Sequence, residues 1–191
     1  LMLVLLASLP VVGQHIGNFL PERINPRERF LFYQHGGVVT AKGNNAITDA
    51  APEWGPYEYL NILDTLRDRG FNVISENREE GVDNSVYINK ILMQIDSLLK
   101  QGVKGGNIIV VGASAGWEIT LGVSAKLSDN NVKYVIMGGC WPETYKGFLG
   151  QELHGSILSI YEKTDPHQSC QKIFDDKESI KAHREVMLNT G

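Results

Sequence analysis

The chain of 191 residues lacks the features of several protein classes. It has no basic stripe and no ladder of aromatic residues, and its formal net charge is −4, so we expect no nucleic-acid partner. It has no internal repeat, no low-complexity tract and no linker. With 42% hydrophobic residues, this composition predicts one domain with a sizeable core. No Asn-x-Ser/Thr sequon is present, so N-glycosylation is not indicated.

The sequence also lacks an apolar run long enough to cross a bilayer, which takes about 20 residues. Residues 1–13 are almost purely apolar and are typical of the central region of a secretory signal peptide that ends near Val12-Gly13-Gln14. No charged segment precedes Leu1, so we expect the N-terminus to be incomplete. This interpretation predicts a secreted or periplasmic protein without a stable membrane anchor. The alternative is a buried first strand of the domain.

Cysteine is scarce, since the chain has only Cys140 and Cys170. In a reducing compartment they would be ordinary buried thiols, whereas an even count in a secreted protein favours a disulfide. Each follows a candidate strand, at residues 134–137 and 157–161. If those strands are neighbours, their carboxyl ends lie close enough for a bridge.

Candidate strands and helices alternate from residue 30 onward. The strands are predicted at residues 30–33, 71–74, 107–111, 132–137, 156–161 and 184–188. The helices are predicted at residues 57–69, 84–100, 117–127 and 171–182, and a long polar loop at residues 40–56. Strands separated by helices of this length indicate an α/β fold with a parallel sheet and helices on both faces.

The run Val110-Val111-Gly112-Ala113-Ser114-Ala115-Gly116 is the most informative motif. It combines a buried strand, a Gly-x-Ser-x-Gly turn and the start of a helix, which is the arrangement of a nucleophile elbow. A Cβ atom at either glycine would collide with the neighbouring strand and helix. Ser114 is therefore the candidate nucleophile, placed at a helix N-terminus where free N–H groups can stabilise an oxyanion.

Two further segments end strands at the same edge of the predicted sheet, where α/β proteins bind ligands. His35-Gly36-Gly37 follows the first strand, and an N–H of Gly36 or Gly37 would form an oxyanion hole with the N–H of Ala115. An ordinary turn is the alternative for these glycines. Asp165 follows a later strand and is the candidate acid that orients a catalytic histidine. Glu162 is the competing acid, and the Asp165-Pro166 pair is also typical of a plain turn.

No histidine stands where this arrangement places the base, which is after the last strand. The five histidines are His15, His35, His154, His167 and His183. His167 is on the correct edge but lies only two residues after Asp165, so it is a weak candidate. We therefore expect the catalytic histidine beyond Gly191, in a chain that is truncated after its last strand.

From residue 32 onward the chain resembles the α/β-hydrolase superfamily, and within it a group of compact secreted serine hydrolases. The matching segments are Tyr-Gln-His-Gly at 33–36, Tyr-Glu-Tyr at 57–59, Arg-Gly-Phe-Asn-Val-Ile-Ser-Glu at 69–76, Val-Gly-Ala-Ser at 111–114 and Ser-Ile-Tyr-Glu at 159–162, continuing into Asp165-Pro166. The resemblance implies a three-layer sandwich with a mostly parallel sheet of about six strands, lacking the usual leading hairpin. It also implies a His-Gly pair soon after Asn189-Thr190-Gly191.

The sequence thus predicts a signal peptide at 1–13, a lead-in at 14–29 and a hydrolase domain at 30–191. The expected function is a serine hydrolase of small-molecule carboxylic esters or related acyl bonds, with no metal and no organic cofactor. His35 is a candidate pocket residue. Trp117, at a position that is usually small, either packs on the buried face of its helix or roofs the acyl pocket. The alternatives are a non-catalytic binding protein or inactive fragment, and an acyltransferase. Substrate identity and oligomeric state are open.

Overall fold

A parallel β-sheet forms the centre of the domain in the computed structural model, which describes residues 15–49, 51–167, 169–175 and 177–190. Its strands within these residues are β1 (Ile16–Gly17), β2 (Arg29–Gln34), β3 (Phe71–Ile74), β4 (Ile108–Ala113), β5 (Lys133–Met137), β6 (Gly155–Glu162) and β7 (Ile180–Leu188). The spatial order is β1-β3-β2-β4-β5-β6-β7, and every neighbouring pair is parallel. The expected α/β class is confirmed. The predicted signal segment at 1–13 lies outside the described residues.

Helices connect most of the strands. They are α1 (Gly37–Lys42), α2 (Tyr59–Asp68), α3 (Asn84–Lys100), α4 (Gly116–Lys126), α5 (Lys146–Leu149) and α6 (Gln171–Phe174). Short 3₁₀ turns cover Pro52–Trp54 and Gly105–Asn107. The predicted polar loop at 40–56 is therefore interrupted at both ends by helical turns. Among the described residues no helix is both long and apolar enough to cross a membrane.

The sheet has seven strands in the described part of the chain, whereas the sequence predicted about six. The additional strand is β1, which pairs with the edge of β3 through hydrogen bonds from Val73 N to His15 O and from Ser75 N to Gly17 O, both 2.8 Å. A strand of two residues is too short to leave an alternating pattern in the sequence.

The predicted helix at 171–182 is wrong beyond its first turn. Helix α6 ends at Phe174, and β7 already begins at Ile180. Ile180 pairs with Gly155 and Ala182 pairs with Ser156, so the backbone of this segment is held by β6. Backbone pairing with strand β6 outweighs the weak local preference of this segment for helix.

Two hydrophobic clusters lie on opposite faces of the sheet. Along β2, Phe30 and Phe32 belong to a cluster that includes residues of α3 and α4, while Leu31 and Tyr33 belong to a cluster with residues of α1 and α2. This alternation follows from the two-residue period of a strand. The central strands are thus buried on both faces. This packing fixes the position of their carboxyl ends relative to the helices.

The local contacts of helix α3 explain why this helix could be predicted from the sequence. The Asp83 side chain caps its N-terminus by accepting a hydrogen bond from Ser85 N at 2.7 Å. Its buried stripe faces α4, where Ile88 fills the space that a Cβ at Gly122 would need. This close packing holds α4, and with it the turn that precedes α4, against the sheet.

Candidate active site

Ser114 sits on the sharp turn between β4 and α4 with a φ angle of 48°. Its backbone N–H donates to Met137 O of the neighbouring strand at 2.8 Å, and its carbonyl accepts from Trp117 N at 2.9 Å. These two bonds hold a left-handed conformation that residues with a Cβ atom rarely adopt. Ser114 is partly exposed, and its Oγ forms no hydrogen bond to any described residue.

The two glycines of the turn are required by the contacts around them. A Cβ at Gly112 would collide with the carbonyl oxygen of Gly116 and would lie 2.5 Å from Thr120 Oγ1. A Cβ at Gly116 would collide with the carbonyl oxygen of Gln34 in β2. The expected collisions with helix and neighbouring strand are therefore present.

The predicted oxyanion turn lies directly beside this elbow because β2 and β4 are neighbours in register. A methyl group at Gly36 would lie 3.3 Å from Ser114 Cβ, and one at Gly37 would lie 3.6 Å from Ala115 Cβ. The Gly36 N–H is occupied, since it donates to Tyr57 Oη at 3.1 Å. The N–H groups of Gly37 and Ala115 have no acceptor among the described residues. Of the two glycines that the sequence left open, Gly37 has the free donor.

The side chain of His35 contacts the backbone of this turn from the buried side. Its side chain is fully buried, Nδ1 lies 2.8 Å from Gly36 O, and Nε2 accepts from Arg78 N at 3.1 Å. Burial, together with the nearby positive charge of Arg78, lowers the pKa of His35 to about 4. His35 is therefore a neutral structural side chain at physiological pH, and both of its ring nitrogens are engaged.

Sequence reasoning missed Arg78. Its guanidinium donates to His35 O at 2.6 Å, and burial lowers its pKa. Arg78 lines a cavity of about 280 Å³. The wall of this cavity also includes Gly37, Tyr87, Ala115 and Trp141. The only sign of Arg78 in the sequence was its position two residues after the segment 69–76, which carries part of the family resemblance.

Asp165 follows β6, one strand beyond β5. Its Oδ1 accepts from His167 N at 2.9 Å, and its Oδ2 would lie 3.6 Å from a methyl group at Gly138. Gly138 directly follows Met137, whose carbonyl accepts the Ser114 N–H. The candidate acid and the candidate nucleophile are thus on the same edge of the sheet, separated by the end of β5.

The competing acid is engaged elsewhere. Glu162 accepts hydrogen bonds from Thr190 N at 3.2 Å and from Thr190 Oγ1 at 2.8 Å. These bonds lower the pKa of Glu162. Thr190 lies just after β7, so the chain leaves the last strand beside the segment that carries Asp165.

Cys140 and Cys170 form a disulfide, with their Cα atoms 5.3 Å apart. The predicted pairing is confirmed, and its basis holds because β5 and β6 are neighbours. Both cysteines are buried, and Glu185 Oε2 accepts from Cys170 N at 2.8 Å. The bridge joins the segment after β5 to the segment after β6, and thereby braces the loop that holds Asp165.

The histidines do not complete a triad among the described residues. His15 Nε2 lies 2.8 Å from Phe19 O, and His183 Nε2 lies 3.0 Å from Ser159 Oγ. His154 immediately precedes β6, at the opposite edge of the sheet. His167 lies on the correct edge, with its ring 5.7 Å from that of Trp141.

Trp117 is fully buried and its ring lies 5.3 Å from that of Phe148. Its Cβ and Cγ stand 2.6 Å from where a Cβ at Gly139 would be, so Gly139 provides its space. The tryptophan that reaches the cavity beside Gly37 and Ala115 is Trp141.

Solved structures with the same arrangement were found. Esterase B from Lactobacillus rhamnosis, with a tributyrin phosphonate, has a TM-score of 0.56 and 14% identity, covering 88% of this chain and 67% of the esterase. Est1E from Butyrivibrio proteoclasticus, with bound ferulic acid, has a TM-score of 0.55 and 11% identity, covering 89% and 83%. The 2-hydroxy-6-oxo-6-phenylhexa-2,4-dienoate hydrolase from Rhodococcus sp. strain RHA1 has 0.50 and 13%, covering 86% and 84%.

A scan against models of protein families found no match, and no curated protein matches the sequence. The identities to the solved structures are low, so these similarities establish the arrangement of strands and helices and not the chemistry. The parallel sheet, the elbow at Ser114 and the three structural similarities agree: the chain has the α/β-hydrolase fold.

Proposed function

We propose that this protein is a serine hydrolase of carboxylic esters or related acyl bonds that works through an acyl-enzyme on Ser114. The observation that carries the proposal is the strained turn at Ser114 beside the backbone N–H groups of Gly37 and Ala115, which have no acceptor in the described part of the chain. Strain of this kind persists where the surrounding structure requires it, and it is concentrated at active sites.

In this mechanism Ser114 Oγ attacks the acyl carbon while its proton passes to a general base. The carbonyl oxygen of the substrate becomes negative. It accepts one hydrogen bond from Gly37 N, at the start of α1, and one from Ala115 N, at the N-terminus of α4. The carbon–oxygen bond to the leaving alcohol then breaks, and the base returns the proton to that alcohol. Water repeats the sequence on the acyl-enzyme and releases the acid. Nothing in these steps needs a metal or an organic cofactor.

We infer that the general base is a histidine and that Asp165 fixes its tautomer. The contact between Thr190 and Glu162 brings the end of β7 next to the loop of Asp165. His167 is the candidate histidine on this side of the sheet. A His167→Ala variant that keeps full activity would show that His167 is not the base.

We also propose that the protein acts outside the cytoplasm. The apolar segment at 1–13 supports this, and so does the disulfide between Cys140 and Cys170, which oxidising compartments favour. The expected partners are small-molecule ester or acyl substrates.

The test is hydrolysis of p-nitrophenyl esters of increasing acyl length by the full-length protein. Ser114→Ala should lower kcat on the order of 10⁶-fold, and Asp165→Asn on the order of 10⁴-fold. Glu162→Gln is the matched control and should cost far less than Asp165→Asn. A folded wild-type protein that turns over none of these esters would overturn the proposal and favour a binding protein with this fold. Product transfer to added alcohols in preference to water would identify an acyltransferase.

A further inference from the structure

Tyr57 lies against the candidate active site without a role in the mechanism above. A methyl group at Gly36 would meet Cε2 of Tyr57 at 3.2 Å and Cβ of Ser114 at 3.3 Å. The tyrosine ring and the serine side chain therefore flank the same side of Gly36. Tyr57 is partly exposed: its ring packs against the hydrophobic cluster beside α1 and α2, and part of its surface borders solvent.

The hydroxyl of Tyr57 has two hydrogen-bonding neighbours. The Gly36 N–H donates to Tyr57 Oη at 3.1 Å, and Tyr33 Oη lies 2.6 Å from the same oxygen. Either hydroxyl of the Tyr33–Tyr57 pair could in principle supply the proton of their bond. Which one does so decides where the Tyr57 proton points.

The burial of Tyr33 determines which of the two hydroxyls donates. It is 2% exposed, and its hydroxyl has no partner other than Tyr57 among the described residues. Leaving a buried hydroxyl proton without an acceptor is unfavourable, so Tyr33 must donate to Tyr57. Burial also raises the pKa of Tyr33, which keeps that proton in place.

Tyr57 Oη then accepts two hydrogen bonds, one from Gly36 N and one from Tyr33 Oη. Both acceptor sites of the oxygen are filled, so the Tyr57 O–H must point away from both neighbours. Two donors on the oxygen also polarise its O–H and make it a stronger donor. The result is a free, activated hydroxyl proton on the side of Gly36 that Ser114 occupies.

We propose that the Tyr57 hydroxyl is a third donor to the oxyanion that forms on Ser114, beside the N–H groups of Gly37 and Ala115. This inference rests on the proposed serine hydrolase function. Tyr57 keeps its proton throughout: its hydrogen bond strengthens as the substrate carbonyl oxygen becomes negative and weakens when the tetrahedral intermediate collapses. The Gly36 N–H, which donates to Tyr57 Oη, contributes through Tyr57.

Deleting the donor is the first part of the test. In the full-length protein, Tyr57→Phe should lower kcat on the order of 10²-fold, because one oxyanion donor is lost, while KM changes little. Tyr33→Phe is the matched control, since it removes the same hydroxyl–hydroxyl contact but leaves the Tyr57 proton. It is expected to lose far less activity.

The Phe substitution also leaves Gly36 N and Tyr33 Oη without an acceptor, so a second variant separates donation from support. Replacement of Tyr57 by 3,5-difluorotyrosine keeps the oxygen but acidifies the phenol well below the usual pKa of about 10. Arg78, Tyr33 and Tyr59 are the titratable groups that interact electrostatically with Tyr57. All three remain in this variant.

If Tyr57 donates, kcat of the difluorotyrosine variant should fall with rising pH as the phenol ionises, a limb that the wild-type protein lacks. If Tyr57 only accepts hydrogen bonds, the phenolate accepts them better and activity should persist at high pH. A pH profile that overlays the wild type would overturn the role of Tyr57 alone. Absence of ester turnover in the wild-type protein, with no labelling of Ser114 by a phosphonate, would overturn the proposed function and this inference with it.

Discussion

Backbone strain at Ser114 is a measurable property of one residue. A left-handed conformation costs a residue with a Cβ atom about 1–2 kcal/mol, and glycine escapes this at an entropic cost of about 0.5–1 kcal/mol. We therefore expect Ser114→Gly to have a free energy of unfolding about 0.5–1 kcal/mol higher than Ser114→Ala. Urea denaturation of the two variants measures the difference.

The control for this comparison is Ser97, in the last turn of α3. There the order should reverse, with the alanine variant more stable by about 1 kcal/mol because glycine is unfavourable inside a helix. Equal stabilities of the two Ser114 variants would show that the turn stores no strain.

At Gly116 the elbow is in close contact with the backbone of β2. Gly116→Ala places a Cβ on the carbonyl oxygen of Gln34, which belongs to a central strand that cannot move away. We expect a loss of at least about 2 kcal/mol in the free energy of unfolding. Gly106→Ala is the matched control, since nothing lies within 4 Å of its added Cβ. A similar effect at both positions would contradict the packing described for the turn.

At the scale of elements, the disulfide connects two segments that strands alone do not hold together. Cys140 and Cys170 are 30 residues apart in sequence, and a closed loop of that length stabilises the fold by about 3–4 kcal/mol. We expect a Cys140→Ala/Cys170→Ala double variant to lose this amount in urea denaturation. Added reductant should destabilise the wild-type protein but not the double variant. Equal sensitivity of both proteins to reductant would contradict a bridge between these cysteines.

The elements that the sequence predicted well are those whose burial pattern is carried by their own residues. Helix α3 was predicted at its observed bounds because its apolar stripe and its ends are local signals. Strand β1 and the first residues of β7 were missed because their pairing depends on β3 and β6, which are distant in sequence. Non-local hydrogen bonds leave little trace in a short segment.

The candidate site shows the same division. The spacing Gly112-x-Ser114-x-Gly116 was readable because a sharp turn needs glycine at fixed positions. The choice between Gly36 and Gly37 was not readable, because it depends on the hydroxyl of Tyr57, which reaches Gly36 N from 21 residues away. Arg78 was missed for a similar reason, since it acts through the backbone of His35.

At the scale of the whole molecule, the buried His35 links stability to pH. Its pKa is lowered from 6.5 to about 4 in the folded protein. Between these values the unfolded chain binds more protons, so the contribution of His35 is complete above pH 6.5 and is lost as the pH falls toward 4. The loss is on the order of 3 kcal/mol.

Urea denaturation between pH 4.5 and 8 checks this when wild type is compared with His35→Gln. The comparison is needed because burial also lowers the pKa of His183, which contributes with the same sign in both proteins. We expect the wild-type protein to lose more stability than the variant over this range. Parallel curves would show that His35 is not neutral and buried in the folded protein.

The sheet as a whole brings the candidate site residues to the carboxyl ends of its strands. The segments after β2, β4 and β6 carry Gly37, Ser114 and Asp165, and the end of β7 reaches the same edge at Thr190. Parallel strands make this possible, because all their carboxyl ends lie on one side. We propose that Ser114 is activated as a nucleophile at this end of the strands.

The most direct measurement is reaction of the full-length protein with an alkyl phosphonate ester, followed by mass spectrometry of the peptides. We expect one phosphonyl adduct on the peptide that contains Ser114, and no adduct in a folded Ser114→Ala variant. A folded wild-type protein that stays unlabelled, or equal labelling of wild type and Ser114→Ala, would contradict this proposal.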